Sequence, residues 1–370
     1  MKFSYWENKT WLSNIDFVIV GSGIVGLNCA LELSLKHPTS KIVILEKGLL
    51  PHGASTRNAG FACFGSLTEI MSDLQSHSDQ EVYELINKRV SGLNKLRELL
   101  GDKKIKYKQH GGNEIFLLGE DEKLSKSIED LDKVNNLIKP LFDNEVFHIV
   151  ENKFKFNKTL NKSIFNKYEG QIDTGEMMDS LLKKARSCGI RIINNVSLEG
   201  FEDLNSAVAL KTNQFTIKCK KLFIATNGFS NSIIEENVTP ARAQALITKP
   251  IKGLNISGTF HLDEGYYYFR NIDNRILLGG GRNLDFQSEN TTEFGLTELI
   301  QSKLEGLLKE VILPETNFEI EQRWSGIMGI GKKKIAISKQ LSNNVYCGVR
   351  LGGMGIAIGT NVGIELAELL

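Results

Sequence analysis

Asp16-Phe-Val-Ile-Val-Gly-Ser-Gly-Ile-Val-Gly26 is the stretch on which the fold turns. Residues 16–20 form an apolar run rich in β-branched side chains, the pattern of a strand buried on both faces of a parallel sheet. Gly21-Ser-Gly-Ile-Val-Gly26 follows directly, and Ala30, Leu31, Leu33 and Leu35 then predict a helix that stops at Pro38. Lys41-Ile-Val-Ile-Leu45 reads as a second buried strand, closed by Glu46. Residues 16–46 therefore predict one βαβ unit.

The glycine spacing fits G-x-G-x-x-G between a strand and a helix. Gly21 permits the tight turn, Gly23 lets backbone approach a pyrophosphate, and Gly26 lets helix and strand pack closely. Ser22 and Ile24 flank Gly23 at the helix N-terminus, which offers amide hydrogens and partial positive charge to phosphate. Glu46 lies 20 residues after Gly26. A carboxylate there accepts hydrogen bonds from both ribose hydroxyls, and Lys47 follows it. Together these features imply a dinucleotide site. The structural alternative is a set of glycines in a tight turn, and the motif by itself does not separate NAD from FAD.

Outward from this unit, Val82, Leu85, Ile86, Val90, Leu93, Leu96 and Leu100 predict a helix over 81–100. Residues 115–118 read as a strand, and 143–167 as surface strands and loops. Met178, Leu181, Leu182 and Ala185 mark a helix opening at 173. Residues 191–193 and 221–225 return to the buried-strand pattern. Residues 236–340 read as mostly β, including 266–269 and 275–278. Gly352-Gly-Met-Gly355 runs into an apolar helix at 362–370. This order predicts an α/β fold. A discontinuous Rossmann-type domain takes 14–75, 165–235 and 341–370. A β-rich mixed-sheet substrate domain takes 76–164 and 236–340.

Composition narrows the function. Basic residues number 45 against 44 acidic ones, a net charge of +1 that gives no footprint for nucleic acid. The triplet Lys332 to Lys334 reads as a solvated turn between strands. Five scattered cysteines include no Cys-x-x-Cys pair, and the six histidines show no metal-ligand spacing, so no metal site is expected. No long apolar run predicts a membrane span, and the N-terminus lacks the pattern of a signal peptide. The protein is read as cytoplasmic.

Gly53-Ala-Ser-Thr-Arg-Asn-Ala-Gly60 separates the two dinucleotides. It resembles the small-residue segment of the D-amino-acid oxidase-like superfamily of FAD-dependent oxidoreductases, which includes glycine oxidase, sarcosine oxidase and the γ-glutamylputrescine oxidoreductases. The resemblance implies that Ser55, Thr56, Arg57, Asn58, Ala59 and Gly60 pass along the flavin. It extends over nearly the whole chain. Leu198 stands where relatives have a valine against adenine, and Ala225-Thr226-Asn227-Gly228 resembles the segment beside the cofactor. Pro240-Ala-Arg-Ala-Gln244, Ile276-Leu-Leu-Gly-Gly-Gly-Arg282 and Arg323-Trp-Ser-Gly326 match further segments. Gly353, Met354, Gly355 and Ile356 resemble the last family motif, whose helix N-terminus faces the flavin pyrimidine.

The departures bear on the substrate. Many relatives place a carboxylate-binding arginine where this chain has Met328. Arg350, just before the last motif, is the favoured replacement, because guanidinium offers a bidentate fork. Arg270, Arg282 and Arg57 are the further candidates. Tyr266 and Tyr268 share a strand face with Arg270 and are expected to line the pocket. Arg57 replaces a histidine that links flavin covalently in some relatives, which implies non-covalent FAD. The resemblance implies oxidation of the C–N bond of a small amine or amino acid, by hydride transfer to flavin N5 and on to an unidentified electron acceptor. The lack of a lysine at 279–281 leans toward a dehydrogenase. The alternatives are a hydroxy acid or other CH–OH substrate, or a flavoprotein that only binds or transfers electrons.

Overall fold

A computed structural model of the chain, describing residues 2–370, contains two eight-stranded sheets and a short two-stranded one. At the centre of the first sheet lies Ile15–Val20, parallel to Ile42–Leu45 on one side and Thr216–Ile224 on the other. Val18 pairs with Val43 and with Leu222, so the apolar run is flanked by strand on both edges. Arg191–Ile193 and Val345–Val349 extend the parallel order, and Ile337–Ser342 closes one edge antiparallel.

The alternation of side chains explains why this strand has no polar face. Phe17 and Ile19 point into a core shared with helices Ile24–Lys36, Thr174–Ser187 and Gly355–Glu368. Val18 and Val20 point the other way, against Leu198, Val208 and Leu210 of the strands Leu198–Leu204 and Ala207–Thr212. Helix Asp79–Leu100 bridges two cores: Leu93, Leu96 and Leu100 join the first, whereas Val82 and Ile86 join a cluster around Phe116 and Phe147.

The second sheet runs in the order Ile320–Ile330, Thr239–Thr248, Arg275–Gly280, Tyr267–Ile272, Thr259–Leu262, Gly112–Leu117, Thr159–Asn166 and Phe147–Glu151. Its neighbours are antiparallel except for Thr259–Leu262 and Gly112–Leu117. One face packs Leu246, Phe260, Phe269 and Leu278 against helix Glu298–Leu307. Phe61–Ala62 pairs antiparallel with Gly170–Gln171 as the short third sheet.

Three elements depart from the sequence expectation. Helix Asp121–Ile138 was not anticipated; its apolar stripe of Leu124, Leu131, Val134 and Ile138 is sparse between charges. Helix Glu298–Leu307 interrupts the region expected to be β. The last helix begins at Gly355, seven residues before its expected start at 362. Gly359 and Gly363 lie one turn apart along this helix, where the lack of a side chain allows contact with helix Ile24–Lys36. A Cβ on Gly359 would lie 2.7 Å from Ile24 Cγ2, and one on Gly363 would lie 2.7 Å from the Val25 carbonyl.

Candidate active site

The glycine loop is held by contacts that leave no room for side chains. Gly21 has φ +104°, and a Cβ there would lie 2.7 Å from the Ala225 carbonyl. Gly23 caps helix Ile24–Lys36, and its Cβ would lie 2.8 Å from Ser55 Oγ. That hydroxyl accepts a hydrogen bond from the Ile24 amide at 3.0 Å. The glycine loop and the 53–60 segment thus meet at one helix N-terminus. Glu46 is buried, and its Oε2 accepts from the Ser22 amide at 3.0 Å and from Ser22 Oγ at 2.7 Å. Its Oε1 accepts from the Gly48 amide at 2.9 Å.

A single cavity of about 790 Å³ connects these groups to the second sheet. Gly21, Gly23, Ile24, Glu46, Lys47, Ser55, Arg57, Asn58, Ala59, Gly60, Leu198, Thr226, Asn227, Gly353, Met354, Gly355 and Ile356 all contribute to its wall. Ser22, Thr56, Gly26 and Gly228 lie behind it. Ser22 orients Glu46, and Thr56 Oγ1 donates to the Pro51 carbonyl at 2.7 Å. Gly26 packs on the Gly21 carbonyl, and Gly228 packs against Met328. These four act on the wall by positioning it. Asn58 does the same for the 53–60 segment: its Oδ1 accepts from the Gly60 amide at 2.9 Å and from Thr174 Oγ1 at 2.8 Å.

At the other end, strand register gathers the lining. His261 lies opposite Tyr268, Tyr268 opposite Gly279, and Gly279 opposite Ala245, so these residues share one face of the sheet. His261, Tyr268 and Ala245 line the cavity with Tyr266, Arg282 and Met328. Tyr268 lies in strand Tyr267–Ile272, whereas Tyr266 lies in the turn just before it and not on the strand face expected; both side chains reach the cavity. Burial pushes the Tyr268 hydroxyl up to about 12. Its ring meets Phe61 edge to face, with centroids 5.5 Å apart.

Two of the sequence-derived arginines do not reach the cavity. Arg350 is turned away: its Nε donates to the Ile335 carbonyl at 2.9 Å and Nη1 to the Asn237 carbonyl at 3.2 Å. The cause is backbone conformation, because Arg350 has φ +65° and so leaves the strand before the glycine turn begins. Arg270 continues the strand but is buried behind the 53–60 segment, bonded through Nε to the Ala59 carbonyl and through Nη2 to the Ile172 carbonyl. Burial pulls its guanidinium down to about 10. Arg57 lines the cavity, with Nη1 3.0 Å from the Ser325 carbonyl and its guanidinium 4.3 Å from the Phe294 ring.

His261 and Lys334, which the sequence marks only as a structural histidine and part of a solvated turn, both line the cavity. His261 Nε2 lies 2.6 Å from Glu169 Oε1, and both side chains are buried. Burial lowers the His261 pKa, but the Glu169 carboxylate outweighs it with the help of Glu69 and Glu114, holding the imidazole at about 9. The partners lie 92 residues apart, so no local pattern marks them. Lys334 does sit in the expected turn, yet it lines the cavity and pairs with buried Asp73 at 2.6 Å.

The walls fit FAD. Two helix N-termini, at Gly23 and Met354, open onto one cavity without side-chain caps of their own. Their amides suit phosphate and a developing negative charge. Thr226 Oγ1, beside Gly21, is buried without a protein partner. Bound there, FAD would be held by the 21–26 loop, Glu46, the 55–60 segment and the 353–356 turn. No group of residues suited to a metal ion occurs among the described residues, and no helix there is long and apolar enough to cross a membrane.

A family model described as FAD dependent oxidoreductase (DAO) matches residues 16–369. Among curated proteins, the chain is 20% identical to a probable oxidoreductase OrdL of Haemophilus influenzae, over 98% of this chain and 84% of that one. Among solved structures, L-proline dehydrogenase from P. horikoshii superposes with a TM-score of 0.76 at 19% identity, covering 96% of this chain and 93% of its own. Glycine oxidase from Geobacillus kaustophilus gives 0.76 at 16% identity, covering 96% and 94%. These similarities show the mixed α/β fold.

Proposed function

We propose that this chain, which belongs to the DAO family of FAD-dependent oxidoreductases, oxidises the C–N bond of a small amine or amino acid. The observation that carries the proposal is the continuity of one cavity from the dinucleotide loop to the Tyr266, Tyr268 and Arg282 end. FAD, when bound, supplies the hydride acceptor at N5. The chain supplies alignment and exclusion of water. The Tyr268 and Phe61 rings wall the reacting end with apolar surface, and Ala243, Ala245 and Gly326 leave space for a small molecule. No general base is required when the amine binds neutral. The names of the two structural relatives favour an amine over a CH–OH substrate.

The first sheet is assigned here to FAD binding and the second to the substrate. Cys63 lines the cavity, but burial pushes its thiol far up, and a neutral thiol is a poor nucleophile. Non-covalent FAD is therefore part of the proposal, and acid should release it. Residues 279–281 offer no lysine, which favours a dye over oxygen as the faster acceptor.

Anaerobic bleaching of the bound flavin decides the substrate class. The panel should pair amines and amino acids with hydroxy acids of the same carbon skeleton. Bleaching by the nitrogen compounds alone is expected. Bleaching by the hydroxy acids alone would replace the proposal with CH–OH oxidation, and a protein purified without FAD would remove both.

A further inference from the structure

The cavity holds six basic side chains: Lys47, His52, Arg57, His261, Arg282 and Lys334. Five have partners or places that account for them. Lys334 pairs with Asp73, and His261 with Glu169. Lys47 lies over the Phe229 ring and His52 packs edge to face on Phe294; burial holds the pKa of each below its ordinary value, with Glu46 opposing it. Arg57 is tied to the Ser325 carbonyl and the Phe294 ring, and none of its nitrogens is both buried and without a partner.

Arg282 is left. Its Nη2 donates to Asn290 Oδ1 at 2.7 Å, and its guanidinium lies 4.7 Å from the Phe286 ring. Its Nε is buried and has no partner. A guanidinium has five N–H donors and no acceptor, so one amide oxygen leaves most of them free. Other arginines in the chain meet carboxylates: Arg97 with Asp102, Arg242 with Glu289, Arg275 with Glu321 and Arg323 with Glu305. Arg89 also keeps a buried Nε without a partner, but it lies outside the cavity wall.

The backbone presents Arg282 to the cavity. Gly281, in the left-handed region at φ +82°, turns the chain out of strand Arg275–Gly280, and Arg282 follows as the first residue of a short 3₁₀ turn. Strand Thr239–Thr248 separates this point from strand Ile320–Ile330, which carries Met328. Its residues Ala243 and Ala245 line the cavity between them with small side chains. A cation at Arg282 is therefore about two strand spacings, roughly 10 Å, from the Met328 strand.

We propose that Arg282 is the receptor for a substrate carboxylate, which makes the substrate an amino acid rather than a plain amine. The proposal rests on the amine-oxidation reading and narrows it. Nε and a neighbouring Nη present the two-donor edge that matches a carboxylate, and a carboxylate in this cavity needs such a partner because burying it unpaired is costly.

The test uses FAD-loaded protein and simple carboxylates as probes: acetate, propionate and benzoate, each against its neutral amide. Binding is read by calorimetry and by the shift of the visible flavin spectrum. The wild type is expected to bind at least one acid and to prefer it to the amide. Arg282→Met should weaken that binding by about 30-fold or more, the scale for losing one partner of a buried charged pair, and Arg282→Lys should recover part of it. Undiminished acid binding by Arg282→Met overturns the proposal. So does loss on Arg57→Met alone, or a wild type that binds none of the acids up to about 50 mM, far weaker than a specific site requires. Bleaching by plain amines that is indifferent to Arg282→Met would reject the carboxylate receptor while keeping amine oxidation. Acid binding lost in Arg282→Met, without bleaching by any nitrogen compound, would reject amine oxidation while keeping the receptor.

Discussion

Arg270 lies beneath Gly60: its Nη2 is 2.5 Å from where a side chain would begin at that glycine and 2.9 Å from the Ile172 carbonyl oxygen. With the Ala59 carbonyl also bound, the guanidinium fastens the 53–60 segment to strand Tyr267–Ile272. We predict that Arg270→Met destabilises the fold by about 2–4 kcal/mol, because two buried carbonyls lose a charged donor. FAD retention should fall with it. Thermal unfolding and flavin content measure the two effects. A variant that kept both and lost only affinity for substrate would return Arg270 to a substrate role.

At Gly23, Ser55 Oγ already occupies the space a side chain would need. Gly23→Val is predicted to abolish FAD retention, through the steric block and the displaced contact between Ser55 and the Ile24 amide. Circular dichroism establishes that the variant is folded, and absorbance of the purified protein reports its flavin. Folded protein with near-normal flavin would remove the phosphate-loop assignment.

The His261–Glu169 pair gives stability a dependence on alkaline pH. The folded-state pKa of about 9 lies above the ordinary histidine value. The stabilisation is therefore complete below about pH 6.5 and disappears as pH rises through about 9, and it amounts to roughly 3 kcal/mol. Denaturant unfolding across this range should show falling stability, and His261→Gln should flatten the slope while lowering stability at pH 6. An equally steep slope in the variant would place the titrating group elsewhere.

Local patterns in the sequence suffice for the central strand, the glycine loop and Tyr268, because each depends on spacing within one or two elements. Tyr266 lies in the turn before strand Tyr267–Ile272 and reaches the cavity from there, whereas strand alternation puts Tyr268 on the cavity face. The same alternation put Arg270 there too, but burial beneath Gly60 removed it from the cavity. Arg350 was misread because a left-handed backbone at a non-glycine residue has no sequence signature. His261 acquires its charge from Glu169, a partner brought by parallel pairing of Thr259–Leu262 with Gly112–Leu117 and the neighbouring turn. Helix Asp121–Ile138 was hidden by its high charge content.

Asn227 supports the last prediction, since it joins two segments that the sequence keeps more than a hundred residues apart. Its Oδ1 accepts hydrogen bonds from the Arg350 amide at 3.0 Å and the Leu351 amide at 3.2 Å. Gly329 makes room for that side chain, and the Gly329 carbonyl in turn accepts from the Gly352 amide at 2.9 Å. The turn leading into helix Gly355–Glu368 is therefore aimed at the cavity by an amide oxygen from the start of the 3₁₀ turn Asn227–Ser232, which follows strand Thr216–Ile224. Asn227→Ala leaves two amides without an acceptor, at a cost of about 1–3 kcal/mol. The helix N-terminus should lose its alignment, and FAD affinity should fall by roughly tenfold or more. Asn227→Asp keeps an oxygen in place and should retain the turn. Equilibrium dialysis of FAD against the three proteins measures the ratio. Equal affinity in Asn227→Ala would mean that the 352–355 turn holds its shape without this contact.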